Sequence, residues 1–187
     1  MKIPPFKNFS GEESIKQQLV NHPWFVVSVC LGAYRRQYLL ENNYYFETGI
    51  LYEDDLWKPI VMLNARKLIY IPIRAYSYRI REGSIIHNVD LRKDKHVESL
   101  IYVFNSMYEY YDHNISDILL RKMLESSMTK RYLHAITKLD IFHYKVSRNV
   151  PRWKILRSSG DIKDIIRSLI LLLNGRLYCA ITRKIST

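Results

Sequence analysis

The strongest constraint on the fold is the helical spacing of apolar residues in the second half of the chain. Side chains recurring every three or four positions are typical of an amphipathic helix. The first such set is Val97, Leu100, Ile101, Phe104, Met107, Tyr108 and Tyr111. The second set is Ile115, Ile118, Leu119, Met123, Met128 and Tyr132, which extends the helical pattern to about residue 136. This spacing favours packed helical faces over a base-stacking platform, so nucleic acid is not an expected partner.

A third helix is predicted after Asp161, which is a good N-cap residue, and is predicted to stop at Asn174-Gly175. Its apolar positions are Ile162, Ile165, Ile166, Leu169 and Leu173. Two interpretations of this amphipathic helix remain open, because its apolar face can pack on the domain or lie on a membrane. The longest aliphatic run, at residues 169–173, is far shorter than the ~20 residues needed to span a bilayer.

The first 90 residues carry mixed signals. Ser10 and Glu13 form a capping box that predicts a short helix. Residues 25–31 are apolar and β-branched, which is typical of a buried strand or of the start of a tightly packed helix. Cys30 within this run is expected to be a small core residue, and residues 68–78 are expected to be extended.

The acidic cluster Glu53-Asp54-Asp55 precedes a further predicted helix at about 56–65. Asp54 or Asp55 is a natural N-cap for this helix, which would be buried through Leu56, Ile60 and Leu63. Pro59 lies near its start and removes at most one hydrogen bond. The predicted fold class is therefore α/β or α+β, with a small sheet up to about residue 90 and a helical C-terminal region after it. The expected domains are 1–90 and 91–187.

The positive charge is concentrated at the end of the chain. The net charge is +11 overall, and the last 43 residues contain ten Lys or Arg against only Asp161 and Asp164. Such a tail suits membrane headgroups, nucleic acid or a phosphorylated substrate, or it is simply a solvated basic face. The two lone cysteines indicate a reducing compartment. The expected location is cytoplasmic, with peripheral contact at the inner face of the membrane as a further expectation.

A basic, glycine-containing turn at 78–84 follows the acidic cluster by about two dozen residues. A carboxylate cluster followed by a cationic turn could deprotonate an alcohol and hold an anionic leaving group. The simpler interpretations are a capped helix with solvated neighbours and an ordinary surface turn.

The order and spacing of these residues resemble the second half of a family 2 (GT-A type) glycosyltransferase. The matching features are Tyr34-Arg35-Arg36, residues 38–43, Phe46, Gly49, Glu53-Asp54-Asp55, Ala65, Tyr70-Ile71 and residues 76–85. The resemblance covers roughly the first half of the chain. The helical remainder is similar only loosely to the variable C-terminal extensions of such enzymes.

The resemblance implies that Asp54 is the catalytic base of an inverting transfer from a nucleotide-sugar to an acceptor hydroxyl, in polysaccharide or glycan assembly. It further implies that Glu53, Asp55 and Trp57 bind substrate. On the donor side, it implies a diphosphate site formed by Arg79, Arg81 and Ser84, with His87 as a weaker candidate for the donor or a metal.

Family members use Mg²⁺ or Mn²⁺ held by an Asp-x-Asp motif, and no Asp-x-Asp occurs in this sequence. Nothing before Tyr34 resembles the nucleotide-binding half of the family. The expectation is therefore a truncated enzyme that lacks its nucleotide and metal half. The alternative is a non-catalytic basic helical module or remnant that docks on a membrane, nucleic acid or a partner transferase.

Overall fold

The computed structural model describes residues 6–22, 24–77, 79, 93–139 and 141–186. It divides into two compact units, Met1–Leu91 and Arg92–Thr187. The described part is mostly helical and contains one two-stranded antiparallel sheet. This is the α+β form of the predicted fold class. The assignment of the first unit to half of a GT-A domain stays a prediction.

The first unit contains two short strands, three helices and a single 3₁₀ turn in its described residues. In chain order they are β1 (Asn8–Phe9), α1 (Gly11–Asn21), the 3₁₀ turn Val29–Leu31, α2 (Arg36–Glu41), α3 (Glu53–Leu63) and β2 (Leu68–Ile69). Asn8 pairs with Ile69 and Phe9 with Leu68. Helices α1 and α3 pack together at Gly11, where a Cβ atom would overlap the Met62 carbonyl oxygen. Glycine is therefore required at this contact.

The start of α1 confirms the predicted capping box. The Glu13 amide donates to Ser10 Oγ at 3.2 Å, and the Ser10 amide donates to Glu13 Oε2 at 2.8 Å. These two bonds satisfy amides that have no partner inside the helix. The hydrogen bond from the Ser10 amide, followed by the Ser10 side chain, lowers the pKa of the Glu13 carboxyl below its usual value.

Two predictions about the first unit are wrong. Residues 25–31 form neither a strand nor the start of a tightly packed helix, since Val29–Leu31 is a 3₁₀ turn without buried residues. Cys30 is exposed rather than part of the core. The stretch 68–78, predicted to be extended, contains the strand Leu68–Ile69, and residues 70–77 lie outside helices and strands. A strand persists only where a neighbouring backbone supplies hydrogen bonds, and β1 is two residues long.

The second unit consists of helices and short 3₁₀ turns in its described residues. They are α4 (Lys93–Asn114), α5 (Ile118–Leu139), 3₁₀ turns at Ile141–His143 and Lys145–Asn149, α6 (Arg152–Arg157), α7 (Ile162–Leu173) and α8 (Gly175–Ser186). Helix α4 packs against α5, and their rings Phe104 and Tyr132 lie 4.5 Å apart between centroids. Helices α7 and α8 pack against each other and against α5.

The apolar spacing predicts the buried side of α4 well but that of α5 less well. Val97, Phe104 and Met107 are almost fully buried, as expected. Ile118 and Leu119, however, are 61% and 65% exposed. They occupy the first turn of α5, and the side facing α4 is set by other residues. The buried residues of α5 include Leu120, Leu124, Leu133 and Ile136.

Helix α7 begins as predicted, because Asp161 Oδ1 accepts the Asp164 amide at 2.8 Å. The helix packs on its unit through Leu171, but the apolar residues of the predicted pattern are exposed. Ile162, Ile166 and Leu173 are 76%, 53% and 84% exposed. Among the described residues, no helix is long and apolar enough to cross a membrane.

Candidate functional site

The acidic cluster forms the first turn of α3. The N-cap residue is Tyr52, in the left-handed conformation with φ of 64°, and its side chain makes no cap hydrogen bond. The prediction that Asp54 or Asp55 caps the helix is therefore wrong, because both residues lie inside the first turn with Glu53. At this position, the partial positive charge of the helix N-terminus stabilises ionised carboxylates.

The buried side of α3 also differs from the prediction. Leu56, Ile60 and Leu63 are only half-buried. The most buried residues are Trp57, Lys58, Pro59, Val61 and Met62. Because the helix begins three residues earlier than expected and packs on α1 through Met62, the side that faces the core is rotated.

Asp54, Trp57 and Lys58 share one side of α3, since residues three and four apart are neighbours on a helix. Asp54 is half-buried, whereas Trp57 and Lys58 are 7% and 6% exposed. An aspartate one turn before a lysine is the favourable orientation for an ion pair along a helix. The candidate base therefore lies beside a buried cation and a buried indole.

Lys58 joins α3 to the segment before α2. Its Nζ donates to the Ser28 carbonyl oxygen at 2.8 Å. Burial lowers the pKa of Lys58 from its ordinary value of 10.5 to about 8, although Asp54 and Cys30 act in the opposite direction. Removing an ammonium from water disfavours its charged form, and a nearby carboxylate offsets part of that cost.

Trp57 is the centre of an aromatic cluster. Phe46 stacks on its ring with centroids 4.8 Å apart, and Tyr34 meets it edge-on at 5.0 Å. The Trp57 indole N–H donates to the Tyr44 carbonyl oxygen at 3.2 Å. Phe46 is 45% exposed, so the cluster reaches solvent on one side. We call Tyr34, Tyr44, Phe46 and Trp57 the Trp57 cluster.

The Tyr34 hydroxyl is buried and has no hydrogen-bond partner among the described residues. Burial raises the pKa of Tyr34 to about 12, so the hydroxyl stays neutral and keeps its proton. A buried hydroxyl without a partner is uncommon and can bind a polar group of a ligand or a water molecule.

Helix α2 is attached to α3 by Tyr38. Its hydroxyl donates to the Val61 carbonyl oxygen at 2.8 Å, and its ring meets Tyr44 with centroids 5.4 Å apart. These contacts fix the 34–46 segment, and with it the rings of the Trp57 cluster, against the helix that carries the acids.

The predicted donor side is described only in part. Arg79 is exposed and lies outside helices and strands. Arg81, Ser84 and His87 fall outside the described residues. The diphosphate-binding role of this turn therefore stays a prediction.

No group of three or more His, Cys, Asp or Glu that could hold a metal occurs in the described part of the chain. The three acids of α3 do not form such a group, because consecutive residues point about 100° apart around a helix. The residues described do not fit Mg²⁺ or Mn²⁺, and we derive no step through a metal. The metal implied by the resemblance stays a prediction.

Sequence reasoning missed Lys58 and Tyr34 as members of the site. The four-residue spacing of Asp54 and Lys58 on a helix could have predicted this charge pair. No local signal shows that Tyr34 packs on a ring 23 positions later in the sequence.

The comparison with curated proteins finds a relative in Escherichia coli (strain K12), the uncharacterized glycosyltransferase YibD. The two chains are 25% identical over 170 residues, which cover 90% of this chain and 44% of the relative. This chain thus spans less than half the length of that protein. No family model matches the chain, and no solved structure matches it. The chain is therefore similar, over most of its length, to a protein that is named as a glycosyltransferase.

Proposed function

We propose that this protein takes part in glycosyl transfer from a nucleotide-sugar to an acceptor hydroxyl, as a family 2, GT-A type enzyme. The observation that carries the proposal is the similarity to YibD, which extends over 90% of the chain. The acids of α3 beside the half-exposed Trp57 cluster support it further. An aromatic surface next to carboxylates suits a sugar, which presents an apolar ring face and polar hydroxyls.

Asp54 is proposed as the general base. Its carboxylate takes the proton of the acceptor hydroxyl while that oxygen attacks the anomeric carbon of the donor. The bond from the anomeric carbon to the donor phosphate breaks, the nucleoside diphosphate leaves with the electron pair, and the configuration inverts. A carboxylate in the first turn of a helix can do this when it lies within hydrogen-bond reach of the hydroxyl.

The neighbours of Asp54 have supporting roles in this proposal. The charged form of Lys58 stabilises the Asp54 carboxylate before proton transfer. Glu53 and Asp55 accept hydrogen bonds from other acceptor hydroxyls. Trp57 supports the sugar ring indirectly, because it holds the exposed Phe46 ring on which the sugar packs. A buried lysine whose pKa is near 8 makes this stabilisation sensitive to pH in the mildly alkaline range.

The donor diphosphate is proposed to meet Arg79, Arg81 and Ser84, because guanidinium groups and a hydroxyl suit a departing phosphate. The resemblance also implies Mg²⁺ or Mn²⁺ on the donor side, but the proposal assigns no step to a metal. The resemblance covers only the second half of such enzymes, so this chain is proposed to hold an incomplete donor site.

The test is release of nucleoside diphosphate from a panel of nucleotide-sugars with Mn²⁺ and simple sugar acceptors. Asp54→Asn is expected to lower turnover on the order of 10²- to 10⁴-fold, which is the usual contribution of a general base. Glu12→Gln is the matched control, since Glu12, like Asp54, is an acid in the first turn of a helix, but it lies on α1, outside the candidate site. Unchanged turnover in Asp54→Asn would exclude Asp54 as the base, and no release from any donor would contradict catalysis by this chain.

A further inference from the structure

Helix α7 faces the interior of its unit with its polar side. The residues it buries are Asp164, Ser168 and Leu171, at 3%, 0% and 0% exposure. Five of its aliphatic residues, Ile162, Ile165, Ile166, Leu169 and Leu173, are exposed, although burying them would be favourable by the hydrophobic effect. An amphipathic helix normally does the reverse. The outer side of α7 is therefore an unusual apolar surface.

Helix α8 repeats this arrangement. It buries Tyr178, Cys179 and Thr182 and leaves Leu177 and Ile181 51% and 37% exposed. Both helices pack against α5, so their outer residues point away from it. We call these outer residues the α7–α8 apolar face; they are Ile162, Ile166, Leu169, Leu173, Leu177 and Ile181.

A buried hydrogen-bond network fixes α8 in this rotation. The Tyr178 hydroxyl donates to the Leu133 carbonyl oxygen of α5 at 3.0 Å. Thr182 Oγ1 lies 3.0 Å from Thr137 Oγ1, also on α5. Turning the helix to bury Leu177 and Ile181 would leave these polar groups without partners, which is costly in the interior.

The rotation of α7 is fixed in the same way. Ser168 Oγ lies 2.8 Å from Ser159 Oγ, and an Arg167 N–H donates to the Tyr178 hydroxyl at 3.0 Å. The apolar face is thus not a helix that has failed to pack. It is the outer side of a helix pair whose inner side is held in place by these hydrogen bonds.

The surroundings of the face are positively charged. Lys163 and Arg176 are exposed on the two helices, and the sequence adds Arg183 and Lys184. No acid follows Asp164 in the sequence. Asp164 itself is buried with Arg167 3.5 Å away, and Asp161 pairs with Lys130 at 2.9 Å. The negative charges of this region are therefore already engaged.

We propose that the α7–α8 apolar face docks on the surface of an anionic lipid bilayer, with both helices lying in the plane of the headgroups. Aliphatic side chains rimmed by Lys and Arg are the signature of interfacial helices, which gain from apolar burial and from attraction to anionic lipids. Helices of twelve residues are too short to span the bilayer.

The charge around the α7–α8 apolar face and the type of its side chains favour a lipid bilayer over other partners. Two copies of the same basic face would repel each other. Nucleic acid would contact the basic residues but would leave the Ile and Leu side chains in water. Bases of single strands stack on aromatic rings and not on aliphatic side chains. The inference does not depend on glycosyl transfer.

The test is flotation of the full chain with vesicles of phosphatidylcholine alone and of phosphatidylcholine mixed with phosphatidylglycerol. The chain is expected to float with the anionic vesicles only. Leu169→Gln with Leu173→Gln should weaken that binding by about tenfold or more, because two aliphatic side chains no longer enter the membrane. Both positions are exposed, so circular dichroism of this variant should match the parent.

Leu119→Gln is the matched control, because Leu119 is 65% exposed in the same unit but lies outside the face. It should bind vesicles as the parent does. Lys163→Gln with Arg176→Gln should remove the preference for anionic vesicles. The proposal is overturned by absence of flotation, by equal flotation on neutral vesicles, or by equal loss in Leu119→Gln. Self-association in solution that Leu169→Gln abolishes would also overturn it, in favour of a second copy of the chain.

Discussion

Helices α3 and α7 are nearly equal in length, at 11 and 12 residues, and each buries one charged side chain. Helix α3 buries Lys58, which donates to the Ser28 carbonyl oxygen, and α7 buries Asp164, which lies 3.5 Å from Arg167. The N-termini of the two helices differ more than their lengths do. Helix α7 begins with the Asp161 side chain on the Asp164 amide, whereas α3 begins at a left-handed Tyr52 whose side chain forms no cap.

The difference between the two helix starts distinguishes acids that stabilise the fold from acids that are candidates for function. In α7, Asp161 caps the helix and pairs with Lys130, so it stabilises the fold. In α3, three acids occupy the first turn and the N-cap position belongs to Tyr52, so the fold does not use an acid as the cap. The comparison also shows that an amphipathic pattern does not by itself determine which side of a helix is buried.

The largest effect is expected from removing the ring at the centre of the Trp57 cluster. Trp57→Ala should lower the free energy of unfolding of the first unit by about 3–5 kcal/mol, because it leaves a cavity beside Phe46 and Tyr34. Trp153→Ala is the control on the second unit, where Trp153 is 66% exposed and the cost should stay within about 0.5 kcal/mol. Urea unfolding followed by circular dichroism measures both, and equal costs would contradict the central role of Trp57.

A smaller effect is expected from the buried cation of α3. The pKa of Lys58 is about 8 in the folded protein, against an ordinary value of 10.5. Between these pH values the unfolded chain binds more protons, so stability should rise with pH across this window. The cost of the buried ammonium is fully present below pH 8 and is on the order of 3 kcal/mol.

Lys58→Met should remove this rise, whereas Lys67→Met, at an exposed lysine of the same unit, should keep it. The difference in unfolding free energy between each variant and the parent, measured from pH 7 to 11, isolates the contribution of Lys58. A parallel pH dependence in Lys58→Met and the parent would show that the ammonium is not buried.

The smallest effect is expected at the start of α7. Asp161→Ala should destabilise the second unit by about 1 kcal/mol through loss of the cap. Asp161→Asn retains a capping oxygen and loses only a partly exposed ion pair, so its cost should be under about 0.5 kcal/mol at neutral pH.

The pKa of Asp161 is lowered mainly by the Asp164 amide and then by Lys130. Its stabilisation is therefore complete above its ordinary pKa and declines as the pH falls through the lowered value. Thermal unfolding at pH 7 and in acid compares the two variants with the parent. Equal losses in Asp161→Ala and Asp161→Asn would assign the effect to the ion pair instead of the cap.

Features set by nearby residues could be predicted from the sequence. The capping box of α1, the cap of α7 and the buried side of α4 depend on residues within one or two helical turns, and the structure confirms them. The rotation of α8 could not be predicted, because it depends on hydrogen bonds from Tyr178 and Thr182 to α5, more than 40 positions away.

The start of α3 shows the same limit. A left-handed tyrosine is disfavoured by local sterics, so local preferences place the helix start later, at an aspartate. For the candidate site, the sequence indicated the acids and Trp57. The pairing of Trp57 with Tyr34 and of Lys58 with Ser28 depends on tertiary packing, which residue patterns do not encode.

Pro59 affects how the first turn of α3 can move. Proline has no amide hydrogen, so the Asp55 carbonyl lacks the bond that residue 59 would normally donate to it. Local opening of the turn therefore breaks one backbone hydrogen bond fewer than it would in an uninterrupted helix. Beyond Pro59, Val61 and Met62 stay packed in the core. Opening the turn that carries the three acids therefore costs less free energy than opening the packed remainder of the helix.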